Sequence, residues 1–234
     1  MNILNSVNHI KILNLVVEPK TITNRFLFYN FDNHNLTNKT VIDNWGSVDG
    51  TYTINSVITN TRAKNGTYSM EALSGWTGSS DFVTMPTGRS YTASNGLSFS
   101  FWFYHLNDSP PAPTMCDYVS GDIKFVAKQN GATWVFANSA ESPSSGLNAW
   151  HHACVTIANN DSYTAGYAAY HNGVLFDTGI ITALNGTLPL GKIGDSYQYG
   201  EYSMKGNIDE FRIYNKVLTQ SEITGLYLNN NTYI

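Results

Sequence analysis

The sequence predicts an all-β chain: a two-sheet antiparallel jelly-roll sandwich with one short helix near the C-terminus. Three observations carry this reading. The run L-S-F-S-F-W-F-Y (97–104) alternates strictly, with Leu97, Phe99, Phe101 and Phe103 on one face and Ser98, Ser100, Trp102 and Tyr104 on the other. Asn130-Gly131 and Asn172-Gly173 each sit between apolar runs, as the tips of two-residue hairpins do. Roughly a dozen short runs of this kind recur at the spacing of a sandwich.

Composition agrees. The 234 residues suffice for one large β domain, and 42 % hydrophobic content supplies its core. Charged residues make up 13 % and the net charge is −4, so no basic stripe marks a nucleic-acid binder. No apolar run reaches membrane-spanning length. Cys116 and Cys154 do not form a disulfide framework, and Cys154, inside an apolar strand, reads as a buried thiol.

Residues 1–24 read as an N-terminal arm or linker, and 25–234 as the sandwich domain. I-K-I-L-N-L-V-V (10–17) is apolar on both faces, and no basic region or cleavage site marks it as a secretory signal. It is either an extra edge strand or an arm through which residues 1–22 join a second copy, a partner or a particle. F-L-F-Y-N-F-D-N (26–33) opens the domain as an aromatic strand. Strands are then expected within 41–53, 64–73, 80–86 and 97–104. Residues 105–121, with Pro110, Pro111 and Pro113, form a long irregular loop. Hairpins follow at 123–138 and 165–179, with the Trp-His-His strand 147–157 between them. L-P-L-G-K-I-G-D (188–195) leads into the Tyr-rich loop 196–202.

The last strand starts at Gly206. Ile208, Glu210, Arg212 and Tyr214 are expected on one face, and Asp209, Phe211 and Ile213 on the other. T-Q-S-E (219–222) is a capping box, and Ile223, Leu226 and Tyr227 give the helix behind it an apolar face.

This closing stretch, G-N-I-D-E-F-R-I-Y-N-K-V-L-T-Q-S-E-I-T-G-L-Y, resembles the end of laminin-G-like (concanavalin A-like lectin/glucanase) domains. So do the strand ending Phe31-Asp32, the Gly66-Thr67-Tyr68-Ser69 strand, the Trp-His-His strand and the Asn172-Gly173 turn. The resemblance spans about residues 25–228. It implies the sandwich fold, and one structural calcium ion held by Asp32 and Asp209, with Asp43 adding oxygens. The related retaining glucanases carry Glu-x-Asp-x-(x)-Glu on one strand. No Glu-x-Asp occurs here, so the resemblance does not extend to that hydrolytic site.

His151 and His152 are adjacent on a strand, so they face opposite ways and cannot chelate one ion. Aromatic rings near amides and acids suit glycan stacking. The candidates are Trp76 in G-W-T-G-S-S, Tyr197 and Tyr199 in the 196–202 loop, Trp45 and His105. The expected function is a non-enzymatic binding or adhesion module for a glycan or protein surface, acting outside the cell or on a virion. The alternatives are a structural or decoration protein of a particle such as a viral capsid or fibre, and a carbohydrate-active enzyme.

Overall fold

The computed structural model describes residues 22–52, 57–72, 83–86, 89–105, 117–119, 122–129, 132–136, 148–184, 186, 192–193 and 206–228. In chain order the strands are β1 (Arg25–Tyr29), β2 (His34–Asn35), β3 (Thr40–Val41), β4 (Gly50–Tyr52), β5 (Val57–Thr59), β6 (Ser69–Ala72), β7 (Val83–Thr84) and β8 (Leu97–His105). They continue with β9 (Asp117–Val119), β10 (Asp122–Gln129), β11 (Ala132–Phe136), β12 (Trp150–Asn159), β13 (Thr164–His171), β14 (Val174–Thr182), β15 (Lys192–Ile193) and β16 (Gly206–Tyr214). One helix, α1 (Gln220–Leu228), follows.

The fold is the antiparallel sandwich the sequence predicts. The large sheet runs β14-β13-β12-β8-β16-β6-β5, with β1 also pairing β16. The facing sheet runs β15-β7-β4-β3-β2, and β11-β10-β9 form a third, smaller sheet. The core lies between the first two. Leu97, Phe99, Phe101 and Phe103 of β8 and Val155 and Ile157 of β12 meet Val41, Tyr52, Val83 and Ile193 of the facing sheet. Among the described residues no helix is long and apolar enough to cross a membrane.

The outer face of the large sheet is buried too, because α1 lies across it. Cys154, Tyr214, Leu218, Ile223 and Leu226 form a second cluster there. Ser98 and Ser100 are small enough to let the chain pass closely. The Ser98 hydroxyl donates to the Lys216 carbonyl at 2.6 Å and accepts the Leu218 N–H at 3.1 Å. The capping box forms: Thr219 Oγ1 accepts the Glu222 N–H, and Glu222 Oε2 accepts the Thr219 N–H at 2.9 Å. Gln220 then ties the helix to the Asn172-Gly173 turn through a 2.7 Å bond to the Gly173 carbonyl. Both turn residues have positive φ, 50° and 79°, as a type I′ hairpin requires. Cys154 is a free, buried thiol whose burial pushes its pKa up.

One expectation needs correction. β16 does not alternate strictly. Its register against β8 shifts between Asp209 and Arg212, and Glu210 sits at φ 55°. Two residues therefore oppose one, a β-bulge. Glu210 is the inserted residue, so Ile208, Phe211 and Ile213 all reach the core, although Ile208 and Phe211 are an odd number of residues apart. Glu210 and Arg212 lie buried and ion-paired with each other, and the Arg212 guanidinium sits 4.2 Å from the Phe28 ring centroid. Ile22 is 1 % exposed and packs in the cluster under α1, so it belongs to the domain. The remainder of the arm, including 10–17, lies outside the described residues.

Candidate functional site

One end of the large sheet gathers the strand ends next to the sequence-predicted binding segments. Gly206 pairs with both Ala72 and His105, and Trp150 pairs with Tyr104. On the outer face of this end, beyond the reach of α1, stands an array of aromatic and charged side chains. Tyr104 and Trp150, both half-buried, meet edge to face with centroids 5.6 Å apart. The Arg62 guanidinium lies 5.1 Å from the Tyr104 ring centroid. It also pairs with Glu71 Oε1 at 3.2 Å and donates to Asn207 Oδ1 at 3.4 Å. Asn207 in turn donates to Ser69 Oγ at 3.0 Å. Deeper in, Lys64 Nζ sits 3.8 Å from the Trp102 centroid, and Trp102 stacks on Tyr227 of α1. Partial burial lowers the Lys64 pKa, while Asp209 nearby opposes that shift.

The array depends on the 60–68 loop, which carries both cations. Two aspartates of the predicted metal set hold it. Asp32 Oδ1 accepts the N–H groups of Thr67 and Tyr68 at 2.7 and 2.8 Å. Asp209 Oδ2 accepts those of Lys64 and Asn65 at 2.8 and 3.1 Å, and Asp209 Oδ1 that of Glu210 at 2.7 Å. Gly66 is required at the loop tip: it has φ 62°, and a Cβ there would stand 1.7 Å from Asp32 Oδ2. Burial, with the neighbouring Glu210, pushes the Asp209 carboxyl up to about 8, against the pull of its three N–H partners.

The pairing of Asp32 with Asp209 thus has a structural basis, but their oxygens face N–H donors. Asp43 is used the same way. Its Oδ1 accepts Phe28 and Trp45 N–H groups at 3.0 Å each, and its Oδ2 that of Val48 at 3.2 Å. Calcium needs six to eight oxygens with free lone pairs. Among the described residues no group of three His, Cys, Asp or Glu side chains is placed to hold an ion. Asp32 Oδ1 and both oxygens of Asp43 and Asp209 accept backbone N–H groups.

Trp45 is half-buried, as Tyr104 and Trp150 are. It packs on Phe28 and Tyr214 at 5.1 and 5.2 Å, beneath Arg25. His105 ends β8 at the site, with its side chain outside the described residues. Trp76, Tyr197 and Tyr199 also lie outside them. The histidines divide as their alternation requires. His151 packs on Phe103 and on His171, its Nδ1 3.1 Å from His171 Nε2. His152 faces the helix, 2.9 Å from Ser100 Oγ. Burial, helped by nearby cationic groups, holds the His152 pKa down at about 3. Burial and His151 hold His171 at about 4. The sequence reading missed Arg62, Glu71, Tyr104 and Trp150. One signal was available: on the outer face of β8, Ser98 and Ser100 give way to Trp102, which stacks on Tyr227 of α1, and then to half-buried Tyr104, past the reach of the helix.

The family described as the concanavalin A-like lectin/glucanases superfamily (Laminin_G_3) matches residues 77–224. No curated protein sequence matches the chain. Among solved structures it is similar to the botulinum neurotoxin type G receptor binding domain, with TM-score 0.56 and 13% identity over 88% of this chain and 51% of that one. It is similar to domain 4 of AbnA, a GH43 extracellular arabinanase from Geobacillus stearothermophilus, in complex with arabinotriose. There the TM-score is 0.51 and the identity 20%, over 86% of this chain and 97% of that one. Trypanosoma rangeli sialidase in complex with sialic acid gives TM-score 0.60 and 14% identity, over 91% of this chain and 34% of that one. At these identities the likeness is one of fold. The chain spans about half the length of the neurotoxin binding domain and about a third of the sialidase.

Proposed function

Because this chain belongs to the concanavalin A-like lectin/glucanase superfamily, we propose that it is a non-enzymatic binding module that holds a glycan at the outer end of its large sheet. The observation that carries the reading is the half-buried Tyr104–Trp150 pair flanked by Arg62, Glu71 and Asn207. Aromatic rings with a polar surround stack on the C–H faces of sugars, while amide, guanidinium and carboxylate groups bind the hydroxyls. Arg62 and Glu71 neutralise each other, so the site suits a largely uncharged sugar face.

Binding without turnover fits the acids present. Hydrolysis needs two carboxylates flanking one bond. In the described array Glu71 is ion-paired, and the buried Asp209 is tied to the loop backbone. A glycan array probed with the wild-type chain and with Trp150→Ala tests the reading. Retained folding with lost array signal is expected. An unchanged array profile, or release of reducing sugar from a polysaccharide panel, contradicts it.

A further inference from the structure

We infer that the outer array takes an acidic saccharide, with the Lys64 ammonium holding the carboxylate of a uronic or sialic acid residue next to the sugar on Tyr104 and Trp150. The inference rests on the glycan reading above and adds the charge class of the ligand. The 60–68 loop and the outer face of β8 meet in two rungs. Arg62 lies 5.1 Å from the Tyr104 centroid, and Lys64 Nζ lies 3.8 Å from that of Trp102. The two rings are two strand residues apart, so the rungs stand about 7 Å from each other. That is the scale of one sugar residue.

The rungs differ in charge. The first is closed, because Arg62 pairs with Glu71 and donates to Asn207. The second is open. Among the described residues Lys64 Nζ has neither an ion pair nor a hydrogen bond, and it rests on the Trp102 ring. It is not one of the buried atoms left without a hydrogen-bond partner, so the half-buried side chain brings its ammonium to solvent. The acid acting on it, Asp209, turns both oxygens to backbone N–H groups. A lysine that only shields a tryptophan face satisfies its three N–H donors with water. Here burial already takes part of that hydration away and lowers the Lys64 pKa. A carboxylate in this place restores the lost partners through charge-assisted hydrogen bonds. The whole chain carries a net charge of −4 and repels acids at long range. A preference for an acidic sugar therefore requires a local cation, while the neutral Arg62–Glu71 rung still takes the uncharged sugar beside it.

The test titrates the full chain by calorimetry at physiological salt with two oligosaccharides, one carrying a uronic acid and one a sialic acid, and with the carboxyl-reduced form of each. One acid is expected to bind on the order of tenfold more tightly than its reduced form, and which one it is separates the two sources. Lys64→Gln is expected to erase that ratio while leaving the affinity of the reduced form in place, and Lys64→Arg to keep the ratio. Trp150→Ala is expected to weaken the acid and its reduced form alike. Equal affinity for acid and reduced forms, no binding by any of the four, or a ratio that survives Lys64→Gln overturns the inference. A ratio lost in Lys64→Gln, with affinity unmoved by Trp150→Ala, upholds the Lys64 subsite and fails the Tyr104–Trp150 platform instead.

Discussion

Raising the pH from 6.5 to 8 should destabilise this protein through one carboxyl group, Asp209. In the fold its pKa stands at about 8, because burial disfavours the anion and Glu210 adds repulsion. In the unfolded chain it is ordinary, about 4. The folded state therefore holds a proton that the unfolded state has lost. A carboxyl raised in this way contributes stability that is fully present below about pH 4 and is lost as pH rises through about 8. Between pH 6.5 and 8 the loss is on the order of 1–2 kcal/mol. Glu210 is raised as well, in the same direction. His152 and His171 are depressed to about 3 and about 4. Their contribution is lost as pH falls below about 6.5, so above that pH they return a few tenths of a kcal/mol each. The net effect is a decline of about 1 kcal/mol across the window, read by urea denaturation at half-unit pH steps. Asp209→Asn keeps the shape, loses an acceptor for one of the three N–H groups, and removes the titration. It should cost about 1–3 kcal/mol throughout and remove Asp209's share of the decline above pH 6.5, leaving that of Glu210. A decline that persists unchanged in Asp209→Asn refutes this account of the loop anchor.

Three further outcomes follow. Phe101 is 1 % exposed in the core, so Phe101→Ala should cost about 3–5 kcal/mol; a loss below about 1 kcal/mol by chemical denaturation contradicts the packing. Deleting residues 1–21 should leave the melting temperature nearly unchanged, whereas deleting 1–22 removes buried Ile22 and should cost about 1.5–3 kcal/mol; equal melting of the two truncations contradicts the boundary. EDTA should leave thermal melting unchanged, since the Asp32, Asp43 and Asp209 oxygens already accept N–H groups; a fall reversed by added calcium restores the ion that the family resemblance implies.

The fold was legible because its signals are local. The Phe/Ser alternation of β8, the Asn172-Gly173 tip and the T-Q-S-E cap each follow from neighbouring residues and appear as read. The β16 bulge was not legible, because strict alternation and a bulge differ by the backbone of one residue, Glu210, and no glycine marks it. Asp32 and Asp209 converge on one loop, but the sequence does not show that they do so by accepting its backbone N–H groups. The outer array escaped for another reason. Arg62 reaches Tyr104 only after the chain folds, across 42 residues of sequence, so no motif announces it. Trp45 is half-buried because Phe28, Arg25 and Tyr214, distant in sequence, pack against it.

Glycan binding at the outer end of the large sheet is tested most directly by indole N–H NMR of the tryptophans during titration with whichever glycan the array selects. The account predicts that the Trp150 resonance, assigned through Trp150→Phe, shifts in proportion to occupancy while that of Trp45, packed on Phe28 and Tyr214, stays in place. A shift confined to Trp45, or saturable binding with no movement at Trp150, would contradict it.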